Sequence, residues 1–305
     1  MKNKNFSKFE CIDAGTEYCP CYLAKLGECY ECPLLRGEKF CDCKWRGICK
    51  YYEYIWSTGN IKLRKTVSSK VLNKDMKNDI LFLRLKLPHT FLIELKKPGS
   101  YVFIRPSSMP PYFDLPVAVM YVNETYNYIE LAVKIKGPKT KALSLEKNSI
   151  MVRGPYYNGI IGLKNIENLN KSKCVLILSG MAQTSAVLLI NELLKHNNIV
   201  FIFKDKLCPF FIKKYINSNK IEIQTINLNG NNWLKDLDLK DIDFIYVGGC
   251  RDLQDRIFNF LKARQNKVKV AFSNNNRLCC GEGICGSCEI TISGYKLRSC
   301  KIQFR

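Results

Sequence analysis

The sequence predicts a multidomain protein of the α+β and α/β classes. An antiparallel β-barrel is followed by a parallel, doubly wound α/β domain, with a small cysteine-rich module at each end. Three observations predict this order: apolar and polar residues alternate in the first half, apolar strands alternate with helical patterns beyond residue 170, and cysteines concentrate at both ends. The predicted domains are residues 1–57, 58–168, 169–272 and 273–305.

Residues 1–57 contain many cysteines and little apolar periodicity, so a metal ion is expected to hold this segment together. Eight thiols make two complete four-cysteine sites, and the C-x-C and C-x2-C spacings suit chelation. The sequence leaves open whether they hold zinc, hold additional iron–sulfur clusters or are free, and how they pair. The candidate ligands are Cys11, Cys19, Cys21, Cys29, Cys32, Cys41, Cys43 and Cys49.

Residues 58–168 read as a small barrel of short strands without helices. Leu81, Leu83, Leu85 and Leu87 alternate with more polar residues, which is the period-two pattern of a half-buried strand. Turn signals separate further strand-like stretches. These stretches are residues 101–105, 115–122, 128–136 and 149–153.

Residues 169–272 alternate continuous apolar strands with helices, which favours a parallel sheet covered on both faces. The predicted strands are residues 174–178, 199–203, 221–228, 244–247 and 268–272. The predicted helices are residues 184–195, 209–217 and 252–264.

The C-terminal segment carries the most specific motif of the chain. Cys280, Cys285, Cys288 and Cys300 follow the C-x4-C-x2-C…C spacing of plant-type 2Fe-2S sites. Glycines between them allow the backbone to approach a cluster closely. Zinc is the alternative, although paired C-x2-C knuckles are its usual signature. Cys279 is interpreted as a thiol that does not bind the metal.

Composition limits the remaining possibilities. With 16 cysteines and no secretory signal, the chain is expected to be cytoplasmic, with thiolate metal sites and no disulfide framework. No apolar stretch is long enough to span a membrane. The formal charge of +21 suits a solvated lysine surface or steering of an acidic redox partner better than nucleic-acid binding, because the lysines are spread along the chain.

This order of barrel, α/β domain and cysteine motif resembles the electron-transfer subunit of dihydroorotate dehydrogenase, within the ferredoxin–NADP reductase superfamily. The resemblance covers about residues 60–305 and implies FAD on the barrel, a nicotinamide nucleotide on the α/β domain, and a cluster that passes electrons to a partner subunit. The N-terminal cysteines lie outside it.

The resemblance carries over unevenly to the flavin site. The family's Arg-Pro-x-Ser becomes Leu115 followed by Pro116, Val117 and Ala118, so both polar groups are missing. The family's Gly-x-Gly-Thr becomes a segment in which Lys139 offers a cation for a phosphate. The residues kept from that motif are Gly137 and Thr140.

The nicotinamide site keeps fewer of the family's residues. Gly180 alone remains in the loop after the first α/β strand, where close approach of a phosphate favours more glycine. Gly248 and Gly249 correspond to a later family motif, or form an ordinary strand-to-helix turn.

Together these residues predict an NAD(P)H-dependent oxidoreductase subunit with FAD and a 2Fe-2S cluster that serves a partner oxidoreductase. One rival hypothesis is a non-catalytic iron–sulfur adaptor that has lost its nucleotides, suggested by Leu115, Ala118 and Ala182. A second rival is a zinc-stabilised nucleic-acid binder.

Overall fold

The computed structural model describes residues 9–43, 45–147, 149–230, 232–235, 237, 239–264, 268–292 and 294–304. Within these residues, the predicted order of an antiparallel barrel followed by a parallel α/β sheet is confirmed. No helix in this described part is both long enough and apolar enough to cross a bilayer.

The N-terminal segment has little regular structure. It contains strand β1 (Phe9–Cys11), helix α1 (Tyr22–Lys25) and helix α2 (Lys50–Trp56). β1 pairs antiparallel with the last strand of the chain, Ile302–Phe304, so that the two ends of the described chain share one small sheet.

Six strands form the closed barrel. They are β2 (Lys65–Lys77), β3 (Ile80–Lys86), β4 (Tyr101–Pro106), β5 (Leu115–Asn123), β6 (Tyr128–Lys134) and β7 (Ser149–Tyr156). All pairs are antiparallel, in the order β2-β3-β6-β5-β4-β7. Leu81, Leu83 and Leu85 are buried in the barrel core, as their alternation predicts.

The barrel segment also contains two helices, so the expectation of strands alone is wrong. Helix α3 (His89–Leu95) buries Phe91, Leu92 and Leu95 in the barrel core, a spacing that suits one helical face. Helix α4 (Pro138–Leu145) begins at a proline, which the first turn of a helix tolerates. The sequence pattern did not predict β2, because most of its side chains are exposed and its residues show no alternation of apolar and polar side chains.

The α/β domain is built on a six-stranded sheet. Its elements are β8 (Ile160–Ile161), β9 (Lys173–Leu178), α5 (Gln183–Lys195), β10 (Ile199–Asp205), β11 (Ile221–Ile226), α6 (Asn232–Lys235), β12 (Phe244–Gly248), α7 (Arg251–Ala263) and β13 (Lys269–Ser273). The strand order is β11-β10-β9-β12-β13-β8, and only β8 is antiparallel to its neighbour. The order reverses between β9 and β12, where open α/β sheets bind ligands at the carboxyl ends of the strands.

The prediction of a helix at residues 209–217 is wrong, because only a short 3₁₀ turn, Lys213–Tyr215, forms there. The Gln183 side chain donates to the Pro209 carbonyl at 2.9 Å and accepts from the Phe211 N–H at 3.2 Å. These long-range hydrogen bonds hold the segment in a non-helical conformation.

The C-terminal segment packs on the other domains. Strands β14 (Glu289–Ile292) and β15 (Tyr295–Arg298) form a hairpin, and β16 (Ile302–Phe304) is the partner of β1. The Gln303 side chain donates to the Ile160 carbonyl at 2.6 Å and accepts from the Gly162 N–H at 2.8 Å. The chain end is thereby fixed against the α/β domain.

Candidate functional site

The loop between β13 and β14 carries three of the four predicted cluster ligands. Its glycines Gly281, Gly283 and Gly286 have φ angles of 75°, 78° and 75°, which residues with a Cβ rarely adopt. A Cβ on Gly281 would lie 2.4 Å from Tyr156 and 2.9 Å from Phe103. The cysteine loop therefore lies directly against the barrel.

In the cysteine site, Cys288 contacts Cys300, and Cys285 contacts Cys280 and also Cys279. A hydrogen bond from Cys300 lowers the pKa of Cys288 to about 6, while the same contact and burial raise the pKa of Cys300. Burial alone would raise the pKa of Cys285, but hydrogen bonds from Ser287 and Cys280 outweigh it and lower that pKa to about 7. Low thiol pKa values favour metal ligation.

Among the described residues, no three Cys, His, Asp or Glu side chains already form a group that could hold a metal ion. The four cysteines would have to close around the metal as it binds, as is common when metal binding completes a fold.

The donor set fits a 2Fe-2S cluster. The Cys280 sulfur accepts a hydrogen bond from the Glu282 N–H at 3.3 Å. The Tyr101 hydroxyl is buried and has no hydrogen-bond partner among the described residues. Burial first, and then the nearby Cys300, raises the pKa of that hydroxyl. An unpartnered donor beside a ligand suits a hydrogen bond to a cluster sulfur or thiolate.

A buried network of four charges lies behind the cysteine loop. Arg64 contacts Asp13 at 2.6 Å and Glu282 at 2.8 Å. Lys301 contacts the same two carboxylates at 2.5 and 3.1 Å. Two cations face two anions, and this pairing offsets the desolvation free energy that burying charges costs. Sequence reasoning missed this network because Asp13 and Lys301 are 288 residues apart and no local pattern marks them.

The predicted flavin residues Pro116, Val117 and Ala118 lie in a row on β5. Val117 is buried in the barrel core, whereas Pro116 and Ala118, on the opposite face of the strand, are partly exposed. This face of β5 therefore offers a small apolar surface.

Three cations surround Asp114, the residue just before β5. Its carboxylate accepts from Arg105 at 2.7 Å and from Arg153 at 3.0 Å. Lys139 donates to its backbone carbonyl at 3.2 Å. Lys139 thus lies close to Leu115, the first residue of β5. One carboxylate among three cations leaves a positive surplus, which suits a phosphate group.

Gly137 and Thr140 lie at the start of α4. The Thr140 hydroxyl accepts from the Gly137 N–H at 3.0 Å and donates to the Gly137 carbonyl at 2.9 Å, so it serves as a helix cap. Gly137 has an extended backbone, and a Cβ there would meet no atom within 4 Å. Neither conformation nor packing requires a glycine at this position, which fits an approaching ligand.

In the α/β domain, Gly180 has a φ of 59°, and a Cβ there would also meet no atom within 4 Å. Gly248 and Gly249 differ. A Cβ on Gly248 would lie 3.0 Å from Tyr246, and one on Gly249 would lie 2.5 Å from Leu253. Internal packing accounts for these two glycines without a ligand.

Asp205 is a candidate that sequence reasoning missed. It ends β10 and accepts hydrogen bonds from the Ser179 hydroxyl at 2.8 Å and the Leu207 N–H at 3.1 Å. An acidic residue at the end of the second strand is where dinucleotide folds bind a ribose. The signal was an aspartate that closes an apolar strand 26 residues after Ser179.

The N-terminal cysteines do not form one group. Four of them line a small internal cavity, whereas the other four lie outside it, three of them exposed. The cavity cysteines are Cys11, Cys19, Cys21 and Cys29. The remaining cysteines are Cys32, Cys41, Cys43 and Cys49.

The chain is similar to known electron-transfer proteins at low sequence identity. It is 23% identical over 211 residues to the dihydroorotate dehydrogenase B (NAD(+)) electron transfer subunit of Clostridium acetobutylicum, a match that covers 67% of this chain and 82% of that protein. No protein-family model matches the chain.

Two solved structures share its fold. An NADH-dependent reduced ferredoxin-NADP oxidoreductase has a TM-score of 0.58 at 20% identity and covers 79% of this chain and 87% of its own. The ferredoxin reductase of carbazole 1,9a-dioxygenase, in its FAD apo form, has a TM-score of 0.53 at 15% identity and covers 69% and 67%. The chain is therefore a distant homologue of the dihydroorotate dehydrogenase B electron transfer subunit, with the two-domain fold of the ferredoxin–NADP reductases.

Proposed function

We propose that this chain is an iron–sulfur flavoprotein reductase subunit that passes electrons between NAD(P)H, FAD and a 2Fe-2S cluster, and on to a partner oxidoreductase. The observation that carries the proposal is the position of Arg153. Its guanidinium donates to the Cys280 carbonyl at 3.1 Å and to the Asp114 carboxylate at 3.0 Å. One side chain thus connects the cysteine loop to the start of the predicted flavin strand.

The chain's own residues would bind and orient these groups. Cys280, Cys285, Cys288 and Cys300 would hold the cluster, with the loop amides and Tyr101 as hydrogen-bond donors. When bound, flavin and cluster supply the exchange between hydride transfer and single-electron transfer.

The nucleotide-binding residues would lie at two places. On the barrel, the apolar face of β5 would receive a flavin ring, and the open backbone at Gly137 with Lys139 would receive its phosphates. On the α/β domain, Gly180 and Asp205 lie at the carboxyl ends of β9 and β10, where a nicotinamide nucleotide would bind.

A partner subunit is part of the proposal because the homologous protein is an electron transfer subunit and the sequence pattern marks no acid–base group for substrate chemistry. The chain has only two histidines, and neither is paired with a nucleophile in the sequence pattern. The homologous subunit from C. acetobutylicum is an electron transfer subunit by name. The surplus of 48 Lys and Arg over 27 Asp and Glu would steer an acidic partner.

The proposal is tested by titrating the anaerobically purified chain, reconstituted with FAD, with NADH and with NADPH. We expect flavin bands that bleach on addition of one of the two nucleotides, followed by reduction of the cluster absorbance. A chain that binds FAD stoichiometrically but is reduced by neither nucleotide would contradict the reductase assignment.

Lys139→Gln isolates the flavin site. Loss of a charge-assisted contact to phosphate should weaken FAD binding roughly tenfold, at about 1.5 kcal/mol. Lys141→Gln, which removes an exposed lysine from the same helix, is the matched control and should leave FAD affinity unchanged. Equal affinities in both variants would exclude Lys139 from the site.

A second candidate function is a redox adaptor without nucleotides. It is favoured by the internal packing of Gly248 and Gly249 and by the engagement of the Thr140 hydroxyl in capping. In this case the same preparation would show cluster absorbance but would not take up FAD.

A further inference from the structure

Four cysteines of the N-terminal segment surround one small internal cavity. Cys11 comes from the end of β1, Cys19 and Cys21 from the turn before α1, and Cys29 from the loop after it. Leu23 of α1 closes the same cavity. Four thiols around one space are a donor set that can close around a metal as it binds, as the C-terminal cysteines would.

The other four cysteines form a separate group. Cys32 is absent from the cavity wall and lies within electrostatic range of Cys41 and Cys49. The Cys41 and Cys43 sulfurs lie 3.5 Å apart. Cys29 and Cys32 form one C-x2-C pair in the sequence, and the Cys32 N–H donates to the Cys29 sulfur at 3.3 Å, so the two groups touch there. Only Cys29 lines the cavity.

The cavity lies beside the C-terminal cluster loop. A Cβ on Gly283 would lie 3.0 Å from Leu23, so the leucine that closes the cavity also contacts the loop. Cys11 is paired in register with Ile302, two residues beyond Cys300. Its Cα is therefore at most about 13 Å from that of Cys300, from the spacings of paired and of consecutive residues.

The wall between the two cysteine groups contains a buried cation. Lys301 is 0% exposed and lies within electrostatic range of Cys11 and Cys21 on one side and of Cys300 on the other. The main chain makes a direct link at the same place, where the Ile12 N–H donates to the Lys301 carbonyl at 2.8 Å. A cation shared by two thiolate groups stabilises negative charge on both.

The spacing of the cavity cysteines, C-x7-C-x-C-x7-C, matches neither the paired knuckles of usual zinc sites nor the C-x4-C-x2-C of plant-type clusters, so it does not select the metal. The position beside the C-terminal cysteine loop favours a redox-active centre, because a zinc ion there would be redox-silent. We propose that Cys11, Cys19, Cys21 and Cys29 hold a second iron–sulfur centre, which exchanges single electrons with the C-terminal cluster and connects it to the partner.

This inference rests on the proposed electron-transfer function. In the exchange, one electron leaves the reduced C-terminal cluster, which is oxidised, and enters the N-terminal centre, which is reduced. No covalent bond or proton transfer is required. The N-terminal segment then lies on the electron path instead of serving only as a scaffold.

The test measures iron, acid-labile sulfide and zinc in the anaerobically purified full chain, with electron paramagnetic resonance spectra after dithionite reduction. We expect more iron and sulfide than one 2Fe-2S cluster contains. Cys21→Ser should lower the iron and sulfide content and remove the spectral component of the N-terminal centre. It should keep the component of the C-terminal cluster, which is the one that Cys285→Ser removes. Zinc in place of the excess iron, or an iron content unchanged by Cys21→Ser, would overturn the inference.

The matched pair Cys29→Ser and Cys32→Ser tests the grouping. Cys29→Ser should reproduce the spectrum of Cys21→Ser, whereas Cys32→Ser should keep the component that Cys21→Ser loses. Loss of that component in Cys32→Ser would refute the grouping.

These metal counts do not depend on nucleotide reduction, so failure of the reductase function would be seen separately. The wild-type counts decide the matter even where a variant does not fold, because iron and sulfide for one 2Fe-2S cluster alone would contradict a second centre.

Discussion

Single side chains connect the candidate cofactor sites of this protein. Arg153 binds Asp114 on one side and the Cys280 carbonyl on the other, and its guanidinium lies 4.4 Å from the centre of the Phe103 ring. A planar donor with several N–H groups can make all these contacts at once, which lysine cannot. Arg153 is therefore one of the side chains that fix the cysteine loop relative to β5.

Spacing and glycine content alone predict the C-terminal cysteines as ligands, because such a loop is a local motif, and this assignment stays a prediction. The contacts of Arg153 and Asp114 could not be predicted in this way. They depend on the barrel order β5-β4-β7, which brings residues 39 positions apart in the chain to one place.

Tyr101→Phe should leave thermal stability unchanged or slightly increased, because it removes a buried hydroxyl that has no partner in the part of the chain that the structure describes. It should also lower the reduction potential of the cluster, since a hydrogen bond to the more negative, reduced form would be lost. A potentiometric titration measures this, with Tyr126→Phe, a substitution at an exposed position, as control. An identical potential in both variants would exclude the hydroxyl from the cluster environment.

At the scale of elements, periodicity predicted those strands that are buried on one or both faces. Continuous apolar residues marked β9 and β12, and alternation marked β3. β2 had no such signal because its residues are mostly exposed, and residues 209–217 were misassigned because Gln183 fixes them from another element. The local propensity of the sequence predicts neither the exposed strand β2 nor the non-helical conformation of residues 209–217.

The cysteine loop is the element on which the proposed cluster would depend most. Gly281→Ala should strain the backbone by about 1–2 kcal/mol through its positive φ. Overlap of the new methyl group with Tyr156 and Phe103 should add about 1–3 kcal/mol and reduce cluster retention.

Gly294→Ala is the matched control, since Gly294 has a φ of 80° and a Cβ there would meet no atom within 4 Å. It should cost only the backbone strain and keep the cluster. Thermal melts and cluster absorbance measure both effects, and equal losses in the two variants would contradict the close contact of the loop with the barrel.

At the scale of the whole molecule, the buried charges tie three parts of the chain together. Asp13 belongs to the N-terminal segment, Arg64 to the chain entering the barrel, and Glu282 and Lys301 to the C-terminal segment. Burial alone would raise the pKa of Asp13, but Lys301 and Arg64 outweigh burial, so that its pKa is lowered and it stays ionised. The relative position of the parts is therefore set by electrostatics as well as by packing.

Asp13→Asn should destabilise the protein by about 3–5 kcal/mol, because it leaves two buried cations with one carboxylate. Glu17→Gln, which removes an exposed ion pair with Lys62, should cost less than about 1 kcal/mol. Denaturant unfolding monitored by circular dichroism compares the two. A cost for Asp13→Asn as small as that for the control would show that the network does not hold the parts together.

The central claim is that Cys280, Cys285, Cys288 and Cys300 hold a 2Fe-2S cluster. The most direct measurement is the iron and acid-labile sulfide content of the anaerobically purified chain, compared between wild type, Cys285→Ser and the adjacent control Cys279→Ser. We predict that Cys285→Ser lowers both contents by about two atoms per chain while the fold is kept, and that Cys279→Ser changes neither, as the plant-type spacing requires. Unchanged iron and sulfide in Cys285→Ser would contradict the claim.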